Sequence, residues 1–237
     1  MVDKYEVKKW ISSILGEEYL IPTLGVWNNF DEIDFESLPN RFVLKCTHDS
    51  GGLVVCKDKT TFDLKKARKK IKKSLRRNYY LWTREYPYKD VKPRVIAEKF
   101  MEDEEYDDLT DYKFFCFNGK AKYCQVITNR NTDESIDFYD RDWNHQPFIG
   151  LNPDCRIHHA LKEHKAPECY SKMLEIADSL ALKINSPFVR IDQYCVKGQI
   201  YFGEITFFPA GGNGKFMPLE WNEKIGSMID LTWTNDR

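Results

Sequence analysis

The chain contains no stretch of about 18 uninterrupted apolar residues, so nothing in it reads as a transmembrane helix. Its start, MVDKYEVKKW, lacks the apolar run of a secretory signal peptide. No C-x-x-C pair occurs, and the 7 cysteines sit in strand-like settings such as VLKCTHD and VVCKD, which predicts reduced thiols rather than a disulfide framework. Taken together, these absences predict a soluble, cytoplasmic protein. Internal repeats, low-complexity linkers and coiled-coil heptads are also missing, which excludes solenoids and extended rods. The phosphate loop G-x-x-x-x-G-K-[ST] is absent, and no Ser/His/Asp or Cys/His pattern of nucleophilic catalysis is recognisable.

What is present is a mixed, aromatic-rich chain. Over 237 residues, a hydrophobic content of 42% is enough to bury one large domain or two small lobes. The formal net charge of -1 names no partner, because it averages a basic segment, TTFDLKKARKKIKKSLRRNYY, with an acidic one, MEDEEYDDLTD. No aromatic residue interleaves the basic run from Lys65 to Arg77, so it reads as a solvated helix face rather than a nucleic-acid surface.

Periodicity predicts α+β architecture. Val7, Trp10, Ile11, Ile14 and Leu15 have helical spacing that stops near Gly16. FVLKC and LVVCK read as a hairpin around THDSGG, followed by a basic helix with Leu64, Ala67, Ile71 and Leu75 on its apolar line and a cap from Thr60 and Asp63. RVIAEKFM reads as a buried strand, the acidic run after it as a loop, and DYKFFCFNGKAKYCQVIT as a hairpin turning at Asn118-Gly119. A further helix is predicted from Pro167, with Met173, Leu174, Ala177, Leu180 and Ala181 inward.

The most informative stretch is FVRIDQYCVKGQIYFGEITFFP. Strand alternation puts Arg190 and Asp192 on one face, and Glu204 and Thr206 on one face of the next strand. Whether these pairs meet depends on register. A two-residue Lys197-Gly198 turn sets Asp192 opposite Gly203 and turns Glu204 away. A three-residue Val196-Lys197-Gly198 loop pairs Asp192 with Phe202 and Arg190 with Glu204, gathering all four polar groups. Clustered carboxylates on a mostly buried face need a cation, either Arg190 or a metal. Two carboxylates on neighbouring strands suit Mg²⁺, which takes oxygen ligands and shares its shell with phosphates.

Other patterns are weaker. The glycine-tipped KCTHDSGG lets backbone N–H groups approach phosphate oxygens and adds Lys45, though a plain hairpin tip has the same composition. Lys113 needs an anionic partner if it faces inward. Cys155, His158, His164 and Cys169 are zinc-type ligands at no standard spacing. Asp140-Arg141-Asp142 resembles the D-x-D motif of nucleotide-sugar glycosyltransferases, but so short a motif is also a common surface turn.

Taken in order, FVLKCTHDSGG, RVIAEKFM, DYKFFCFNGK and FVRIDQYCVKGQIYFGEITFFPAGG resemble the ATP-grasp superfamily, more narrowly its TupA-like branch named for teichuronopeptide biosynthesis. The resemblance implies an α+β fold of two lobes clamping ATP, with 1–40 as an N-terminal helical segment, 41–97 as the small lobe and 98–237 as the large lobe. It also implies ATP-dependent ligation of a carboxylate to an amine through an acyl phosphate, in bacterial surface-polysaccharide biosynthesis. The acid would be a small molecule or a glycan, and a partner protein is possible. Lys45 and Lys113 become phosphate ligands, and Ser50, Gly51 and Gly52 belong to the phosphate loop. Glu98, Lys99 and Phe100 fall on the strand whose backbone receives adenine. Asp192 and Glu204 hold Mg²⁺, and Arg190 with Lys113 faces the reacting groups. Thr206 stands where many members carry a metal-binding asparagine. The family's separate N-terminal domain is expected to be lacking, with about forty residues before Phe42. A catalytically inactive ATP-binding module and a D-x-D glycosyltransferase are the alternatives.

Overall fold

The helical spacing at the start of the chain is realised as α1 (Glu6–Leu15), which buries Val7 and Ile11 and ends at Gly16, where φ is 106°. A computed structural model describes residues 1–102, 109–129, 133–151 and 158–235. The chain divides into two units, Met1–Met101 and Glu102–Arg237. The first therefore takes in both the 1–40 segment and the 41–97 segment and runs just past the end of the strand Val95–Lys99, which straddles residue 97. The acidic run at 103–108 lies outside the described residues.

In the first unit, β1 (Thr23–Trp27), β2 (Phe42–Cys46), β3 (Leu53–Cys56) and β4 (Val95–Lys99) form one antiparallel sheet in the order β1-β4-β2-β3. Alternation in FVLKC sends Phe42, Leu44 and Cys46 into a core with Val95, Ala97, Ala67 and Ile71. Val43 and Lys45 consequently share the opposite face with Glu98, the strand partner of Val43. Ala67 and Ile71 come from α2 (Leu64–Leu75), the basic helix, which is followed by the short α3 (Tyr79–Thr83). The cap of α2 is Asp63, whose side chain accepts from Lys66 N at 2.9 Å. Thr60 lies earlier, in a separate 3-10 turn capped by Asp58, so the expected Thr60 cap is corrected.

The second unit is built on a five-stranded antiparallel sheet of β5 (Asp111–Phe117), β6 (Lys120–Thr128), β7 (Ser135–Asp140), β9 (Phe188–Val196) and β10 (Gln199–Thr206), ordered β10-β9-β5-β6-β7. Short β8 (Ile149–Gly150) and β11 (Phe216–Met217) pair beside it, and α5 (Glu220–Gly226) follows. One sheet face carries α4 (Tyr170–Ile184), whose Tyr170, Met173, Ile176, Ala177, Leu180 and Ala181 are buried. Leu174 is only half-buried, and Pro167 precedes the helix by a turn, its carbonyl accepting from Tyr170 N. The other face packs Phe115, Phe138, Phe148 and Phe216 into an aromatic core. Each such buried ring stabilises the fold by roughly 1.5–3 kcal/mol.

Both long hairpins close with two-residue turns in which each central residue has positive φ, Asn118 (49°) with Gly119 (76°) and Lys197 (52°) with Gly198 (76°). The three-residue loop proposed for the second hairpin is thus corrected: Val196 pairs with Gln199 and Cys195 with Ile200. Cys169, the N-cap of α4, and Cys195 on β9 are paired as a disulfide, which corrects the expectation of wholly reduced thiols. Cys46, Cys56, Cys116 and Cys124 are free and buried.

Candidate functional site

A two-residue turn alone would have pointed Glu204 away from Asp192. A β-bulge reverses that outcome. Phe202 pairs with Gln193, the register slips at Gly203, and Glu204 then pairs with Asp192 and Thr206 with Arg190. Glycine suits the bulge, since a Cβ at Gly203 would sit 3.0 Å from the Asp192 carbonyl oxygen. On the other side of β9, Asp192 pairs with Lys113 of β5. Lys113, Arg190, Asp192, Glu204 and Thr206 are therefore brought onto one face by two strand pairings and one inserted residue.

Their side chains form a continuous network. Arg190 donates through Nε to Asp192 Oδ1 at 2.7 Å and through one terminal nitrogen to Asp192 Oδ2 at 2.7 Å. The same nitrogen reaches Glu204 Oε1 at 2.9 Å and Thr206 Oγ1 at 3.1 Å. Thr206 also donates to Glu204 Oε1 at 3.3 Å. Lys113 binds Asp192 and donates to Asp111 Oδ1 at 3.1 Å. Burial disfavours the guanidinium charge, but Asp192 and then Glu204 outweigh it and hold the pKa of Arg190 above its ordinary value. Asp192 is buried, whereas the Glu204 side chain keeps 39% exposure. Among the described residues, Lys113 and Arg190 make ion pairs with Asp111, Asp192 and Glu204. The side-chain acceptors gathered here, Asp111, Asp192, Glu204 and Thr206, are all oxygens, a donor set that fits a hard dication.

In the first unit, Glu98, buried on β4, binds Lys45 at 2.7 Å and also Lys8 of α1. Lys8 is anchored further by the Ile21 carbonyl at 2.7 Å and Thr23 Oγ1 at 2.9 Å. Burial opposes the charge on Glu98, yet Lys45 and then Lys8 hold its pKa below the ordinary carboxylate value. Two lysines thus converge on one buried carboxylate.

The glycine loop between β2 and β3 is internally satisfied. Gly52 N donates to Asp49 Oδ1 at 3.0 Å, Gly51 N lies 3.4 Å from the same oxygen, and Ser74 donates to the other. A buried carboxylate thus occupies the position at which the loop amides meet an anion. Gly52 is also required by packing, because a Cβ there would lie 2.6 Å from Cys46 Cβ. Ser50 and Gly51 are exposed at the tip. At the end of β4, Lys99 N donates to the Pro22 carbonyl at 2.9 Å, its side chain is exposed, and the Phe100 ring lies 4.3 Å beneath Arg41.

The competing motifs do not assemble. Asp140 caps a turn, its Oδ1 accepting from Asp142 N at 2.9 Å and Asn144 N at 2.8 Å, and Arg141 is paired with Asp178. Of the zinc-type pattern, Cys155 falls outside the described residues, Cys169 is bonded to Cys195, and His158 faces Asp133.

The model of the TupA-like ATP-grasp family matches residues 1–230. The chain belongs to the TupA-like ATP-grasp family. Similar solved structures include a D-alanine–D-alanine ligase of Bacillus anthracis, at 16% identity and a TM-score of 0.50, with 96% of this chain and 65% of that one covered. The same enzyme complexed with ATP gives 16% identity, a TM-score of 0.46, and coverage of 88% and 54%. N5-carboxyaminoimidazole ribonucleotide synthetase of Thermotoga maritima gives 17%, 0.46, and coverage of 87% and 41%. The chain spans less than two thirds of the length of these structures. A search of curated proteins returns no match.

In this ATP-grasp chain, sequence reasoning missed Lys8, Asp49 and Asp111. Lys8 carried no signal beyond its place on an amphipathic helix. Asp111 did, because it lies two residues before Lys113 in a strand and so shares its face.

Proposed function

We propose that this protein is an ATP-dependent carboxylate–amine ligase acting in bacterial surface-polysaccharide biosynthesis, in the cytoplasm where ATP is available. The observation that carries the reading is the acidic network of Asp111, Asp192 and Glu204 held by Lys113 and Arg190, in a chain of the ATP-grasp family. Its fold is that of known ligases, as the similarity to the D-alanine–D-alanine ligase supports.

In this reading a carboxylate oxygen of the acid attacks the γ-phosphorus of ATP and ADP departs. The amine then attacks the acyl carbon, loses a proton and expels inorganic phosphate. No side-chain nucleophile is needed, because phosphoryl transfer is promoted chiefly by positioning and charge neutralisation. Lys45 and Lys113 bind phosphate oxygens. Ser50, Gly51 and Gly52 line the phosphates, with Asp49 giving up its loop amides to them. Glu98, Lys99 and Phe100 border the adenine. Arg190 neutralises charge developing on the transferring group. Mg²⁺, held by Asp192 and Glu204 with the Thr206 hydroxyl, would supply the remaining charge neutralisation. Within this scheme, Lys113 and Arg190 orient the carboxylates beforehand.

Calorimetric titration with Mg·ATP and with a UDP-sugar tests the reading. Binding of Mg·ATP is expected, together with ADP release that depends on a uronic-acid-type carboxylate and an amine. Binding of the sugar nucleotide with none of ATP would overturn it.

A further inference from the structure

A second concentration of ligating groups lies on the opposite face of the β-sheet from the Asp192 network. Lys113 pairs with Gln125, and Gln125 with Phe138, so these residues share one face; Asp137, the neighbour of Phe138 on β7, points to the other. The Asp137 side chain is only 2% exposed, and three imidazoles converge on it. His145 Nε2 and His159 Nδ1 each lie 2.8 Å from Oδ1, and the three ligand atoms fall within 4.8 Å of one another. His164 Nε2 lies 3.3 Å from Oδ2, close enough to favour the ionised carboxylate but not aligned for a hydrogen bond. Among the described residues that buried nitrogen has no hydrogen-bond partner.

The backbone holds this geometry in place. His145 bridges to Tyr139 of β7, His164 N donates to Tyr139 Oη at 2.8 Å, and Ala160 N donates to Asp137 Oδ2 at 3.1 Å. The His145 and His159 rings stand 4.8 Å apart and 71° from coplanar, so both nitrogens can aim at one point without stacking. A buried carboxylate is adequately satisfied by two or three donors. His145, His159 and the Ala160 amide already supply three, and the buried His164 nitrogen stands 3.3 Å from Oδ2 without a hydrogen bond among the described residues.

We propose that Asp137, His145 and His159, with His164 as the fourth donor, bind one transition-metal dication, zinc in the first instance. Three imidazoles and one carboxylate make a donor set that zinc accepts at about 2.0–2.2 Å in tetrahedral geometry, which sets ligand atoms roughly 3.4 Å apart. The ligand atoms of Asp137, His145 and His159 already lie within 4.8 Å of one another, and His164 Nε2 stands 3.3 Å from the second carboxylate oxygen. Each imidazole then offers a lone pair at the nitrogen now facing the carboxylate and keeps its proton on the other. Imidazole donors favour zinc over magnesium, so the site selects a different ion from the all-oxygen cluster across the sheet. Four protein ligands close the coordination sphere, and the metal ties β7 to the segments carrying residues 145 and 159–164. The inference is independent of the ligase reading.

The test is metal analysis of the full chain purified without chelator, followed by calorimetric titration of chelator-treated protein with zinc chloride and cobalt(II) substitution. One zinc per chain, a raised melting temperature and the visible bands of tetrahedral cobalt are expected. His159→Ala and His145→Ala should lose the bound zinc and its thermal shift while Mg·ATP binding is unchanged. His159, with 39% of its side chain exposed, is the variant least exposed to misfolding. The absence of zinc binding or of tetrahedral cobalt bands in the unmodified protein overturns the proposal. So does zinc binding that survives in the His145→Ala/His159→Ala double variant.

Discussion

Arg190→Met removes the guanidinium that bridges Asp192, Glu204 and Thr206 and leaves Lys113 bound to Asp111 and Asp192. Methionine keeps much of the side-chain volume, so the loss is chiefly electrostatic. Removing one partner of a buried ion pair costs roughly 3–5 kcal/mol, because the remaining charge stays desolvated. For a unit of this size, about 4 °C of melting temperature accompanies each kcal/mol, so without magnesium the second unit should melt roughly 12–20 °C earlier.

Magnesium should reverse much of that loss. A ligand present at a hundredfold excess over its Kd stabilises the folded state by about 2.7 kcal/mol, which corresponds to roughly 10 °C here. In the variant the ion no longer competes with a guanidinium for Asp192 and Glu204, so its thermal shift should exceed that of the unmodified protein. Turnover with substrates should nonetheless fall by about 10³-fold, since the charge-stabilising group is gone. Thermal unfolding of both proteins with and without Mg²⁺ and Mg·ATP, beside acceptor-dependent ADP release, measures all three effects. An equal or smaller magnesium shift in Arg190→Met would refute the placement of the ion on these carboxylates. Full turnover would refute the role of Arg190.

Asp192→Asn and Glu204→Gln are expected to lose magnesium-dependent ATP binding as well as turnover, because each removes charge from an ion ligand; calorimetry at several magnesium concentrations separates them from Arg190→Met. Thr206→Asn should steepen the magnesium dependence of ATP binding, since an amide carbonyl is a better ligand than a hydroxyl, and an unchanged dependence would remove Thr206 from the ligand set. Glu98 predicts acid sensitivity. Its pKa is lowered from 4.5 in the folded state, so its stabilisation is complete above that value and is lost as pH falls through the lower folded one. Melting temperature between about pH 7 and 3 should therefore fall more steeply for the unmodified protein than for Glu98→Gln.

Local chemistry was readable where a residue's effect stays within its own element. Asn118-Gly119 declared a tight turn because two adjacent positions had to accept positive φ, and the structure has that turn. FVLKC declared its buried face by alternation alone. The last hairpin shows where such reasoning reaches its limit. The four polar residues do share a face, but through a two-residue turn and a bulge rather than a longer loop. The longer loop would have added a residue on the β9 side and set Arg190 opposite Glu204, whereas the bulge adds one within β10 and sets Asp192 opposite Glu204. Pattern matching registers the parity of the insertion and not its position, and only the close approach of Gly203 to the Asp192 carbonyl reveals where it lies.

Contacts made between distant segments were not readable. Lys113 meets Asp192 across 79 residues, and Lys8 of α1 and Lys45 of β2, both far upstream in sequence, converge on Glu98. The histidines illustrate the difficulty most clearly. The sequence draws attention to His158 and His164 because cysteines flank them, whereas the residues that converge are Asp137, His145, His159 and His164. Asp137 looks like an ordinary polar residue in SIDFYD until strand pairing assigns its face. Phe138, one residue on, points into the aromatic core on the side of the Asp192 network, so Asp137 must point away from it. One register therefore sets two polar clusters apart, because the pairing that keeps Phe138 on the side of the oxygen-rich cluster also carries Asp137 and the imidazoles around it to the far face.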